Sequence, residues 1–145
     1  MTEQIATTGE IHHLRLTVTD LERSRSFYTS LLGFTVAVES PEPTDAETTA
    51  MHALLFGGVV MIRGSLLLGL RPVAQAGDAF DENRVGLDHL SFGVPNRDDL
   101  DRAVALFDEN GVPHGPISEL SSFGIYVLPF RNPDNVQLEL TAPIS

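Results

Sequence analysis

The sequence predicts an α+β fold built from two βαβββ modules, and three observations predict it. "HLRLTVTDL" from His13 and "HLSFGVPNRDDL" from His89 share one layout, 76 positions apart. In each, a strand-like run ends at a helix-capping residue, Asp20 or Asn96. Each helix pattern that follows stops at a glycine, Gly33 or Gly111, where a left-handed residue ends a helix. Each half then closes on an L-x-L strand, "LLLGLRP" (66–72) and "VQLELTA" (136–142). Near-equal halves, each too small to be comfortable alone, are expected to form one domain over 11–145. Module 1 covers about 11–75 and module 2 about 86–142, behind a flexible tail at 1–10.

The elements follow in order. In "HHLRLTV" (12–18), period-2 alternation sets His13, Arg15 and Thr17 on one face. His12, Leu14, Leu16 and Val18 fall on the other. After Asp20, Leu21, Phe27, Tyr28, Leu31 and Leu32 mark one helical face, and "FTVAVES" reads as a strand. An acidic loop is expected at 41–48, accounting for the greater length of the first half, and a second at 77–83. After Asn96, Leu100, Ala103, Val104 and Phe107 form a cleaner stripe. "VPHGPI" (112–117) is the next strand-like run, and "FRNPDNVQLEL" fits a strand, a Pro-containing turn and a final strand.

Twenty acidic against nine basic side chains, none of them Lys, give −11. That balance argues against nucleic acid and against anionic membranes. The apolar runs are short of the roughly 20 residues of a membrane span. There is no cysteine, hence no disulfide or thiolate metal site. A cytoplasmic location is expected.

Alternation also places Glu139 with Gln137 and Thr141, and His89 with Ser91 and Gly93. Three strands thus carry an apolar face for helices and a polar face with one potential metal ligand each. Two histidines and a glutamate are the donor set of the facial triad, which leaves positions open for substrate, and they also suit zinc or manganese. His13, His89 and Glu139 are therefore the candidate ligands of a divalent ion: Fe, Mn, Zn or Ni. Arg15, on the His13 face, could bind a substrate oxyanion in bidentate fashion or pair with an acid. Tyr126 and Phe130 are alternatives for lining a pocket or the core, and Gln137 is a neighbour of Glu139. Arg131 is expected to brace the turn. His12 and Asp88 are expected to point away from the site, and His52 and His114 have no spacing argument.

"HHLRLTVTDLERSRSFYTSLLGF" (12–34), "GLDHLSFGV" (86–94) and "FRNPDNVQLEL" (130–140) resemble the vicinal oxygen chelate superfamily. This group holds glyoxalase I, extradiol dioxygenases, fosfomycin-resistance thiol transferases, methylmalonyl-CoA epimerase and bleomycin-binding proteins. The resemblance runs from Ile11 to Ala142. It implies curved mixed sheets enclosing a metal cleft, a small-molecule substrate and a homodimer. The metal ligands it implies are His13, His89 and Glu139, with Glu139, Arg15 and Tyr126 as the catalytic candidates. Glyoxalase I-like members carry a fourth ligand in the middle of the first L-x-L, where this chain has Gly69. Three ligands point to dioxygenase or lyase/transferase chemistry rather than to a glyoxalase I reaction. The alternative is a non-catalytic small-molecule or antibiotic-binding resistance protein. An acyl-CoA epimerase is less favoured, because a chain without Lys offers little to CoA phosphates.

Overall fold

The computed structural model describes residue 3 and residues 6–145. Of the expected tail, residues 1, 2, 4 and 5 lie outside the described residues, and 6–10 are exposed without regular structure. The chain divides into two compact units, Met1–Ala74 and Gln75–Ser145.

The first unit contains β1 (His13–Thr17), α1 (Leu21–Leu32), β2 (Thr35–Glu39), α2 (Ala46–Leu55), β3 (Val59–Arg63) and β4 (Leu66–Arg71). Its sheet has the order β1-β4-β3-β2. The β1–β4 pair is parallel and the other two are antiparallel. Helix α1 starts where Asp20 Oδ1 accepts from Arg23 N at 3.0 Å. It ends at Gly33, left-handed at φ 75°. Leu16, Val18, Leu68 and Leu70 turn inward and are buried together with Phe27 and Tyr28 of α1.

The second unit repeats the plan: β5 (Leu90–Gly93), α3 (Arg97–Glu109), β6 (Ser118–Leu120), a 3-10 turn at Ser121–Phe123, β7 (Ile125–Arg131) and β8 (Gln137–Pro143). The order is β5-β8-β7-β6, again with one parallel pair, β5–β8. Asn96 and Asp99 cap α3 reciprocally, and Gly111 follows it at φ 67°. Phe107 of α3 stacks on Phe130 with centroids 4.6 Å apart, over buried Leu128, Leu138 and Leu140. Phe130 is therefore a core residue.

Two local expectations need correction. Residues 46–48 are not loop but the first turn of α2, started by Asp45, whose Oδ1 accepts from Thr48 N at 2.8 Å. The segment 112–117 makes one isolated bridge, His114 to Phe130, and the strand proper begins at Ser118. Pro113 and Pro116 remove two donors, which prevents a continuous ladder. Among the described residues no helix is long and apolar enough to cross a membrane.

Candidate metal centre

In the second unit, Ser91 pairs with Glu139 and Pro129 with Glu139 across the sheet. Glu139 therefore stands on the face opposite buried Leu138 and Leu140, away from α3. His89 immediately precedes β5, and its Nε2 lies 2.8 Å from Glu139 Oε1. Its Nδ1 lies 2.6 Å from Asp88 Oδ1. The hydrogen bond to Asp88 raises the His89 pKa; partial burial opposes this and the Glu139 charge adds to it.

Asp88 thus does not turn away from His89. Both residues precede the regular pleat, which starts at Leu90, so alternation does not govern them. The consequence is chemical. A carboxylate on Nδ1 fixes the ring and leaves Nε2 for a metal, the arrangement usual for ligating histidines. The pair His89 and Glu139 fits two donors of a divalent ion. Among the described residues no group of three His, Cys, Asp or Glu is arranged to hold a metal ion.

His13 occupies the repeat-equivalent position in the first unit. There β1 pairs with β4 as His13↔Leu67 and Arg15↔Gly69. Ser91↔Glu139 is the matching pair of the second unit, so Gly69 is the counterpart of Glu139. The strand position that carries the carboxylate in the second unit thus carries no side chain in the first. Arg15 lies alongside the position: a Cβ on Gly69 would be in ordinary contact with it, 3.4 Å from Arg15 Cγ and 3.5 Å from its Nε. His12, expected on the other face, lies outside β1, and its ring meets that of His13 edge-on at 5.1 Å between centroids. The two Nδ1 atoms are 2.9 Å apart.

Tyr126 does not join this constellation. It pairs with Ala142 and so shares the helix-facing side of β7 with Leu128 and Phe130. Arg97, from the first turn of α3, sits 5.5 Å from its ring centroid. Arg131 braces the turn as expected. It donates to Asn135 O at 3.1 Å and grips Glu82 with two nitrogens, at 2.7 and 3.1 Å. That grip lowers the Glu82 pKa to about 2. Buried Asn132 completes the turn by accepting from the backbone of Asp134 and Val136, both at 2.9 Å. Asn135 is left-handed at φ 67°. Phe80 N donates to Asp134 O at 2.8 Å, so the acidic loop at 77–83 is fastened to the turn that leads into Gln137 and Glu139. A recess of about 350 Å³ nearby is lined by Pro113, His114, Gly115, Pro129, Phe130, Arg131 and Gln137, without His89 or Glu139. His114 is tied to Asp108 at 2.6 Å and His52 to Pro41 O at 3.2 Å.

The repeated layout of the two units accords with the family and fold of known proteins. The family model for the Glyoxalase/Bleomycin resistance protein/Dioxygenase superfamily matches residues 10–140. The chain belongs to this superfamily. It is 30% identical over 131 residues to the uncharacterized protein YwkD of Bacillus subtilis (strain 168), covering 90% of this chain and 94% of that protein. A glyoxylase/bleomycin resistance protein/dioxygenase domain from Frankia sp. EAN1pec is 29% identical, with a TM-score of 0.74 over 94% of this chain and 93% of that one. Lactoylglutathione lyase from Agrobacterium tumefaciens, 19% identical, shares the fold, with a TM-score of 0.67 over 94% and 96% of the two chains.

The sequence pattern turns Asp88 away from the site and gives no sign of Arg71 or Phe56. The signal for Asp88 was its place directly before a candidate ligand. The Phe56 ring position was not legible, because it is set by the end of α2, of which Phe56 is the C-cap.

Proposed function

We propose that this superfamily member is a metal-dependent enzyme acting on a small oxygenated molecule, whose two neighbouring oxygens chelate one divalent ion. His13, His89 and Glu139 are the proposed protein ligands, and Fe, Mn, Zn and Ni are the candidate metals. One observation carries this reading: His89 Nε2 and Glu139 Oε1 converge to 2.8 Å while Asp88 holds the other ring nitrogen. When bound, the ion would supply stabilisation of negative charge on the chelated oxygens. Asp88 fixes the His89 ring, and Arg15 is the proposed holder of a substrate oxyanion. Gly69 in place of a fourth ligand favours a dioxygenase or a lyase/transferase over a four-ligand reaction. Tyr126, on the opposite face, has no part in it.

His89 and Glu139 belong to one unit and His13 to the other. We propose a two-fold homodimer in which each ion takes His13 from one chain and His89 with Glu139 from its partner. Mixing His13→Ala and Glu139→Ala subunits is then expected to restore one intact site per mixed dimer, whereas sites within single chains would recover nothing.

Elemental analysis of protein purified without chelators, followed by metal titration calorimetry, tests the main reading. One ion per chain is expected, lost in His13→Ala, His89→Ala and Glu139→Ala. Metal-free protein that takes up none of the four ions would overturn it in favour of the binding-protein alternative.

A further inference from the structure

We infer that the first unit carries a carboxylate-binding cradle made by Arg15, Arg71 and Phe56 around Gly69. In β4, Gly69 and Arg71 lie on one side, and their β1 partners Arg15 and Thr17 share it. Arg71 Cζ sits 3.9 Å from the Phe56 ring centroid, and Arg15 Cζ 5.8 Å from the same centroid. In a chain with twenty acidic side chains, neither guanidinium has a carboxylate partner among the described residues. Moreover, Arg71 Nε is shielded from solvent and has no hydrogen-bond acceptor among the described residues. A buried N–H donor left unmatched is costly, so Arg71 is held in place against that cost, and its two terminal nitrogens, which are not shielded in this way, are the groups an oxyanion would meet.

Phe56 gives independent support. It stands at φ 54°, the left-handed region that bulky residues avoid and that glycine fills at most helix ends. The ring is held there at a backbone cost, and that placement sets it under Arg71. Gly69 leaves the Arg15 side chain free to lie across it, since the Arg15 stem would be in van der Waals contact with any Cβ there. A guanidinium with its face on a ring offers its N–H edge, which matches the two coplanar oxygens of a carboxylate. The inference rests on the proposed function only in taking that carboxylate as part of the substrate, which would make the substrate an organic acid.

The test uses the full chain carrying His89→Ala, without added metal, so that the metal reading has no bearing on the outcome. Benzoate, its neutral isostere benzamide and inorganic phosphate are titrated in turn, followed by calorimetry and by the Arg Nε–H resonances in NMR. Benzoate is expected to bind and to shift the Arg71 resonance, with benzamide binding at least about tenfold more weakly. Arg15→Gln and Arg71→Gln should each weaken benzoate about ten- to hundredfold. Gly69→Glu should abolish binding, because its carboxylate would take the Arg15 guanidinium. Arg15→Gln and Gly69→Glu keep the test decisive if Arg71→Gln does not fold. Benzoate that fails to bind, or that binds both of those variants as well as the parent, overturns the cradle. Phosphate binding more tightly than benzoate overturns the carboxylate assignment.

Discussion

Gly69 and Glu139 occupy one position in two sheets of the same order, and they do opposite things. In the second unit the position holds a carboxylate that meets an imidazole. In the first it holds no side chain, and an arginine lies over it. The inward faces, by contrast, are alike: Leu68 and Leu138 are both fully buried, one residue before the position that differs. A duplicated scaffold can therefore keep its folding face symmetric while its polar face becomes complementary, anionic in one half and cationic in the other. Alternation makes this possible, because neighbouring residues on a strand answer to different environments.

The largest effects should come where the halves agree. Leu68→Ala and Leu138→Ala each empty a fully buried site and should each cost about 2–5 kcal/mol. Urea denaturation of both variants measures it. A cost that falls on only one of them would show that the two inward faces are not equivalent, and the comparison would lose its symmetric half.

Much of this comparison was legible in the sequence, and what was missed has physical causes. Alternation reads faces correctly inside strands, as for Arg15, Leu16 and Glu139. It fails at strand starts, where no ladder yet fixes the backbone. His12 and Asp88 sit at such starts, and both turned out to touch the histidines they were expected to avoid. Tyr126 was ambiguous for another reason: only its pairing with Ala142 decides which side of β7 it takes. Helix α2 was missed because its acidic, Thr-rich start reads as loop and its short apolar stripe is mostly left exposed. Leu55 is buried, whereas Met51 and Leu54 are exposed. With α2 went Phe56, and with Phe56 the ring that sets Arg71 beside Arg15.

A smaller effect sharpens the anionic half. Asp88→Asn keeps a side chain of the same size but removes the charge that holds His89 Nδ1. Metal affinity should fall about 10–100-fold, the usual consequence of losing a group behind a ligating histidine. The His89 pKa should also fall toward its ordinary value, since the Asp88 hydrogen bond is the main cause of its rise. Proton NMR of the metal-free variant reads the second change, and metal titration the first. An unchanged His89 titration would mean that Asp88 does not hold the ring in solution.

The smallest expected difference lies in how each module starts its first helix. Asp20 caps α1 alone, accepting from Arg23 N at 3.0 Å. Asn96 caps α3 within a reciprocal pair: Asp99 N donates to its Oδ1 at 3.1 Å, and its own N–H donates to Asp99 Oδ2 at 3.2 Å. Removing either cap should cost about 1 kcal/mol. The details should differ, because Asp20 is charged and sits at the positive end of a helix dipole. Asp20→Asn keeps the acceptor and loses only the charge, so it should cost a few tenths of a kcal/mol, about 0.3–1 at low salt, and less as salt is added. Asn96→Asp should show the reverse sign if the dipole dominates. Repulsion from Asp98 and Asp99 in the same first turn opposes that gain, so the net change should be near zero. Urea denaturation of Asp20→Ala, Asn96→Ala, Asp20→Asn and Asn96→Asp at two salt concentrations measures the set. An Asp20→Asn cost that does not shrink with salt would assign the α1 cap to hydrogen bonding alone, and the two helix starts would then be equivalent.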